Sequence, residues 1–506
     1  MLLTNKNILA NIVGRGWSMF SVFVFIPIYI AILGIKMYGV ISFYAVLQGI
    51  LIFADAGLTA TLRRELAKGD ASVESRKKKY KILRSIEFAY FLIVFGIVLF
   101  TFLFSDFIVQ NWLNIEDLDM QSTKRSIQIM GLALGLNFLS TLYQGGLLGM
   151  EKQVKANTFQ IIWSLLKNGG VIVVILLIDK ALTTFFLWQA AINLLYALLL
   201  RYVLLSSLKG KQIFRWKFTE DIKILKTVWR YATGMLIISI IAAINSQFDK
   251  LIVSNLFSVS DLGIYTVAYS LAMVPVILSG PIATAIFPRL VNFFDQKSKK
   301  QLIKIFNNSF VLVLLLASSA GIVLALNANL FLMLWTQNHE IANLATLPAR
   351  FLLLGQVLLA FQIIPFNLAL AKGNTKITIL SGSAGLLILI PMVIFMAKNY
   401  GMSGAAFSWF ITSIIMTPIY IVLVLKKTMN FQIVKWFLVY LIKPFGIIVS
   451  GNLFFYLVKP SIISKPLFGL IYITITSFLV LLISFNIVFN IKIKNTLKFI
   501  QNELFA

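Results

Sequence analysis

Residues 11–65 read NIVGRGWSMFSVFVFIPIYIAILGIKMYGVISFYAVLQGILIFADAGLTATLRRE, two apolar runs of membrane length that each carry a charge where hydrocarbon should be. Arg15 lies within the first run and Asp55 within the second. An ionised group inside a bilayer costs several kcal/mol unless it is paired or meets water, so both residues ask for a polar interior. The short turn Gly34–Met37 joins the runs as antiparallel neighbours, which brings Arg15 and Asp55 to the same membrane face. They are then either an ion pair holding two helices together or groups lining a substrate path.

Working outward, the 506 residues are 59% apolar and 12% charged, far more apolar sequence than a soluble core buries. Apolar runs of about 20 residues suit helices crossing a bilayer and are too long for the alternating strands of a barrel, so the expected fold is all-α and polytopic. The net charge of +27 comes without nucleic-acid recognition motifs, and no basic stretch is longer than a connecting loop, so no nucleic-acid partner is expected. Absence of cysteine excludes disulfides and thiolate chemistry, and the single histidine, His339, excludes a histidine metal cluster or relay. There is no GxxxxGK[ST] phosphate loop, so transport driven directly by ATP would need another subunit. The first run follows only Lys6 and lacks a cleavage site, which reads as a retained helix.

Counting such runs gives about fourteen spans. Most of the 45 Lys and Arg fall in loops on one side, including 63–84 (RRELAKGDASVESRKKKYKILR), so both termini are expected in the cytoplasm. The longest connection divides the chain into a six-helix bundle at 1–205, a basic linker at 206–230 that rests against anionic membrane lipid, a second bundle at 231–425, and two extra helices with a tail at 426–506. A shift of 224 residues lays Tyr38-Gly39-Val40 over Leu262-Gly263-Ile264 and Asp55–Glu65 over Ser279–Arg289. Such a repeat relates two bundles about an axis along the membrane normal.

Deep charges are few. Arg15, Lys167 and Lys250 form a ladder of basic groups, which a polyanionic headgroup needs in order to cross hydrocarbon; alternatively Lys250 snorkels or pairs with its neighbour Asp249. Only two acids are read as deep, Asp55 and Asp249, and each suits either an ion pair or coupling to H+ or Na+. No other cofactor and no metal site is expected. Asn137, Gln144, Asn193 and Asn367 fit either a cavity lining or hydrogen bonds between helices. The acidic loop holds a DxD, Asp117-Leu118-Asp119, that would suit the divalent ion of a lipid-linked glycosyltransferase, but three letters in an acidic loop are a weak motif and no catalytic residues are assigned.

The stretches LGIKMYGVISFYAVLQGILIFADAGLTATLRRELA and FDKLIVSNLFSVSDLGIYTVAYSLAMVPV resemble the polysaccharide biosynthesis protein family, the Wzx-type flippases of O-antigen and related repeat units. That family belongs to the superfamily of multidrug and toxin extruders and the lipid II flippase, with two six-helix bundles around a central cavity. The resemblance implies an alternating-access flippase that carries an undecaprenyl-pyrophosphate-linked oligosaccharide to the outer leaflet of a bacterial plasma membrane. Arg15 and Lys250 are then the residues matched to the pyrophosphate, and polysaccharide polymerase and chain-length proteins are the partners such a role brings. Fourteen spans exceed the common twelve, as in the lipid II flippase. A drug or cation antiporter of the same superfamily is the other transporter reading, and would favour a cavity dominated by acids. A glycosyltransferase or polymerase would want a larger outward loop.

Overall fold

The computed structural model describes residues 2–490 apart from 56, 68–71, 209–238, 297, 429–431 and 459–465; for residues 2–15, 18, 19, 22, 52, 295, 466 and 467 it describes the backbone only. The described residues form helices and no named strand, with one isolated bridge, Asn114 to Ser258. The chain divides into two compact units, Met1–Gly263 and Ile264–Ala506.

Unit 1 begins with α1, Leu2–Leu51, whose 50 residues would span about 75 Å if straight, well over twice the hydrocarbon thickness. It breaks at Gly34, where φ is 78° and ψ 166°, a conformation that side-chain-bearing residues rarely adopt. The two expected spans are thus one helix interrupted at the first residue of the anticipated turn. There follow α2, Leu58–Ala67; α3, Val73–Leu103; α4, Met120–Gly149; α5, Gln153–Leu177; α6, Leu182–Ser207; and α7, residues 239–256. A Cβ on Gly145 would fall 2.1 Å from the Thr59 methyl and one on Gly149 2.5 Å from the Arg63 carbonyl oxygen, so α4 lets α2 approach to backbone contact. Small residues serve this way in bilayers, where dispersion and close packing replace the hydrophobic drive. Leu62, Tyr90, Tyr143, Leu147 and Leu200 fill the core between α2, α3, α4 and α6.

After α8, Val259–Ala272, which crosses the division, unit 2 contains α9, Val274–Asp295; α10, Lys299–Leu326; α11, Ala328–Thr336; α12, His339–Ala371; α13, Thr375–Thr428; α14, Ile433–Leu457; and α15, Pro466–Phe489. Buried α10 is its axis, and α14 and α15 pack on it. Trp436 donates to Asn307 Oδ1 at 2.8 Å and its ring lies 4.8 Å from Phe310, which fixes α14 to α10. α13 repeats the device of α1, breaking at Gly401 with φ at 67°. Among the described residues eleven helices are long and apolar enough to cross a membrane, against the fourteen spans expected. Two causes of the difference are visible: α1 and α13 each carry two expected spans in one helix, broken at Gly34 and Gly401, and the expected seventh span begins in residues outside those described.

Candidate functional site

α5 carries Lys167 on a single π-helical turn, Leu165–Gly169. Widening the helix by one residue loosens its regular ladder, and neighbouring side chains bond the carbonyls there. Trp188 Nε1 donates to Leu166 O at 2.9 Å, Gln189 Nε2 to Lys167 O at 3.3 Å, and the Tyr29 hydroxyl to Asn168 O at 2.8 Å. α1 and α6 therefore hold the turn from both sides. Gly170 closes it against the Trp188 ring, where a Cβ would fall at 2.7 Å.

The Lys167 ammonium sits 4.8 Å from the Trp163 ring centre and 5.8 Å from that of Tyr44, within cation–π range. Trp163 stacks on Tyr196 at 4.8 Å and donates to Asn193 Oδ1 at 3.1 Å, while Asn193 donates to Ala133 O on α4 at 3.0 Å. Among the described residues no carboxylate lies within ion-pair reach of Lys167. The buried Tyr196 hydroxyl has no hydrogen-bond partner in the structure, and the Tyr44 hydroxyl beside it turns to the side-chain amides of Asn193 and Gln48. The cluster thus offers a positive charge and hydroxyl and amide groups, with no carboxylate beside the ammonium among the described residues.

Gln48 also lines a cavity of about 260 Å³ with Asp55, Thr59, Asn137 and Thr141. Asp55 ends a short 3-10 turn, and its Oδ1 accepts from Thr59 N at 3.0 Å, from the Thr59 hydroxyl at 2.6 Å and from the Tyr90 hydroxyl. It thereby caps α2 and ties it to α3. The expected pair with Arg15 lies outside the described residues, because the Arg15 side chain is among those not described.

Asp249 and Lys250 are both buried on α7, with Lys250 Nζ 3.1 Å from Asp249 Oδ1 and 2.6 Å from Ser246 O. Of the alternatives open for Lys250, pairing with its neighbour is the geometry observed. Asn193 on Ala133 and Asn367 on Ala283 O, at 3.1 Å, bond between helices, as does Gln144 on Gln160 at 2.7 Å; Asn137 lines the cavity. The two DxD carboxylates part company: Asp117 meets Lys36 at 2.6 Å, and Asp119 caps α4 through Ser122 N at 2.7 Å.

A third deep acid, Glu87, was not anticipated. It is 1% exposed and accepts from the Tyr143 hydroxyl at 2.6 Å, Arg201 Nε at 2.6 Å and an Arg84 guanidinium nitrogen at 3.3 Å, joining α3, α4 and α6. Its signal was present as a carboxylate three residues after Arg84, inside an apolar run.

With this geometry in place, the chain can be set beside known proteins. A candidate O-antigen transporter of Shigella flexneri is 28% identical over 393 residues, covering 76% of this chain and 88% of that protein. Lipid II flippase MurJ, in an inward closed conformation, superposes with a TM-score of 0.72 at 16% identity, over 95% of this chain and 98% of its own. An inward-facing multidrug resistance transporter of the MATE family, in the MOP superfamily, gives 0.64 at 12% identity, over 83% and 95%. These two likenesses establish the fold, an all-α architecture shared with both. The MatE family pattern matches residues 218–396, and the pattern described as polysaccharide biosynthesis protein matches residues 4–294, more than half of the chain and both stretches that resemble it. This multi-pass membrane protein belongs to the polysaccharide biosynthesis protein family.

Proposed function

We propose that the protein is a flippase that moves a polyprenyl-pyrophosphate-linked oligosaccharide from the cytoplasmic to the outer leaflet of a bacterial plasma membrane, by alternating access, for surface polysaccharide assembly. The observation that carries this reading is Lys167: an ammonium with no carboxylate beside it among the described residues, ringed by aromatic faces and by the Tyr44 and Tyr196 hydroxyls inside a helical membrane bundle. A phosphate or acidic sugar supplies the negative charge that the ammonium meets nowhere among the described residues, and the aromatic faces suit sugar rings. The Shigella relative and the lipid II flippase fold support the same substrate class. Arg15 and Lys250 extend the basic path, and Asp55 or Asp249 couples transport to H+ or Na+. In this reading both termini face the cytoplasm, the two six-helix bundles are 1–205 and 231–425, and a polymerase and chain-length proteins take the product.

The match to the MatE pattern and the acid-bearing Asp55 cavity favour a second reading, a cation-coupled antiporter. Reconstitution decides between them. Proteoliposomes holding the full chain and a fluorescent polyprenyl-pyrophosphate glycan are expected to expose internal glycan to an external, impermeant glycosidase. Dye efflux driven by an ion gradient, without glycan exposure, would support the antiporter.

A further inference from the structure

The cavity beside Asp55 is built from three helices of unit 1. α1 and the turn after it give Gln48 and Asp55, α2 gives Thr59, and α4 gives Asn137, Phe138 and Thr141. Asn137, Thr141 and Gln144 share one face of α4, and a polar stripe on a membrane helix faces either a partner or water. Gln144 has its partner in Gln160 of α5, at 2.7 Å, one turn before the Trp163 ring that Lys167 overlies. On α1, Gln48 lies one turn beyond Tyr44, the other ring of the Lys167 cluster, and its amide faces the Tyr44 hydroxyl. The cavity and the ammonium are therefore neighbours along one polar strip.

We propose that the cavity is a sugar subsite, which holds one neutral pyranose ring of the cargo while Lys167 meets its phosphate or an acidic group. This deepens the flippase reading and rests on it. The polar groups still open to a ligand are those that a pair of ring hydroxyls needs. Asp55 Oδ1 is filled by donors from Thr59 and Tyr90, and among the described residues Oδ2 accepts from none. The Asn137 side-chain amide likewise makes no hydrogen bond to a described residue. A carboxylate oxygen that accepts, sharing a cavity with an amide that both donates and accepts, matches two neighbouring hydroxyls. Leu51, Leu134 and Phe138 give an apolar wall for the C–H face of the ring.

Size and charge narrow the occupant. At about 260 Å³ the cavity falls just under the roughly 300–1,000 Å³ of drug-sized sites, which is room for one ring and not for a chain. An acidic sugar would set its carboxylate against Asp55, so the ring is neutral. A metal ion suits the cavity less: hard cations draw several oxygens in close, whereas here three donors already turn their hydrogens to Oδ1 and much of the wall is apolar. Asp55 then recognises cargo, which leaves Asp249 for ion coupling.

Because the chain has no cysteine, Thr141→Cys puts a single thiol at the exposed rim of the cavity. Methyl glycosides of the common neutral hexoses and N-acetylhexosamines are tried in turn on this protein in mild detergent. At least one is expected to slow maleimide labelling of the thiol, with half-protection in the millimolar range that so small a ligand allows. The matching uronic acid glycoside should protect about tenfold less well, and Asn137→Leu should weaken protection by the neutral glycoside about tenfold. Sodium chloride in place of choline chloride should give no protection. No protection by any neutral glycoside up to about 100 mM, equal protection by the uronic acid, full protection in Asn137→Leu, or protection by sodium instead of sugar would each overturn the subsite. In proteoliposomes, Asn137→Leu is expected to slow a polyprenyl pyrophosphate that bears the protecting sugar about tenfold, and to leave the bare polyprenyl pyrophosphate at the wild-type rate. Equal slowing of both would also overturn the subsite. If the wild type moves neither, the flippase reading fails, and the thiol assay still decides the subsite.

Discussion

Glu87→Ala is expected to unfold far more readily than the wild type, by roughly 3 kcal/mol, the lower end of the cost of stripping one partner from a buried charge pair. The substitution leaves two guanidinium groups and the Tyr143 hydroxyl converging on an empty site where α3, α4 and α6 meet. Arg201 and Arg84 retain 34% and 21% exposure, so water partly compensates them, which is why the lower end applies. Glu87→Gln keeps an acceptor for Tyr143 and Arg201 but removes the charge, so its loss should be intermediate. Thermal denaturation of the purified proteins in one mild detergent checks the order. If Glu87→Ala melts with the wild type, the network does not hold these helices together.

Lys167→Ala is expected to cut glycan export ten- to a hundredfold while the protein accumulates normally. A hydrogen bond between a charged donor and phosphate contributes about 1.5–3 kcal/mol, which sets that range. Accumulation should be spared because Tyr29, Trp188 and Gln189 bond the carbonyls of the π turn, and the lysine side chain takes no part. Lys167→Arg keeps the charge and the aromatic contacts and should recover most of the rate, though its planar fork meets the cage differently. Export by Lys167→Ala at the wild-type rate would remove this ammonium from the path. Were Lys167→Arg as defective as Lys167→Ala, shape and not charge would be the requirement.

Much of the fold was readable because it rests on one-dimensional signals. Apolar runs of membrane length marked the helices, and Gly34 stood at the start of the turn where α1 breaks. Lys167 and Asp55 stood out as charges in hydrocarbon. What surrounds them did not. The π turn depends on side chains from α1 and α6 reaching three carbonyls of α5, and only the pair Gly169-Gly170 hints at it. Asp55 stood out by its charge, but its bonds to a neighbouring threonine and to the neutral Tyr90 from another helix did not. Neutral hydrogen bonds leave no charge pattern to read.

Glu87 escaped because it follows the basic stretch 76–84 closely enough to resemble an interfacial residue, and its burial comes from α4 and α6 closing over it. Lys36 and the acids Glu116 and Asp117 were each visible, one as a turn residue and two as an acidic loop. Their meeting depends on two segments about eighty residues apart in sequence arriving at one place in unit 1. The glycine pair Gly39 and Gly263 is the exception, since the 224-residue shift had already aligned two residues that turn out to touch.

The most direct test of the account is where the lipid-linked repeat unit accumulates when this protein is depleted, read with a probe that reaches only the outer leaflet. Completed units that stay hidden from the probe, facing the cytoplasm, are the predicted result. Single units that reach the outer leaflet at the normal rate and fail to lengthen would contradict flipping and place the defect in polymerisation.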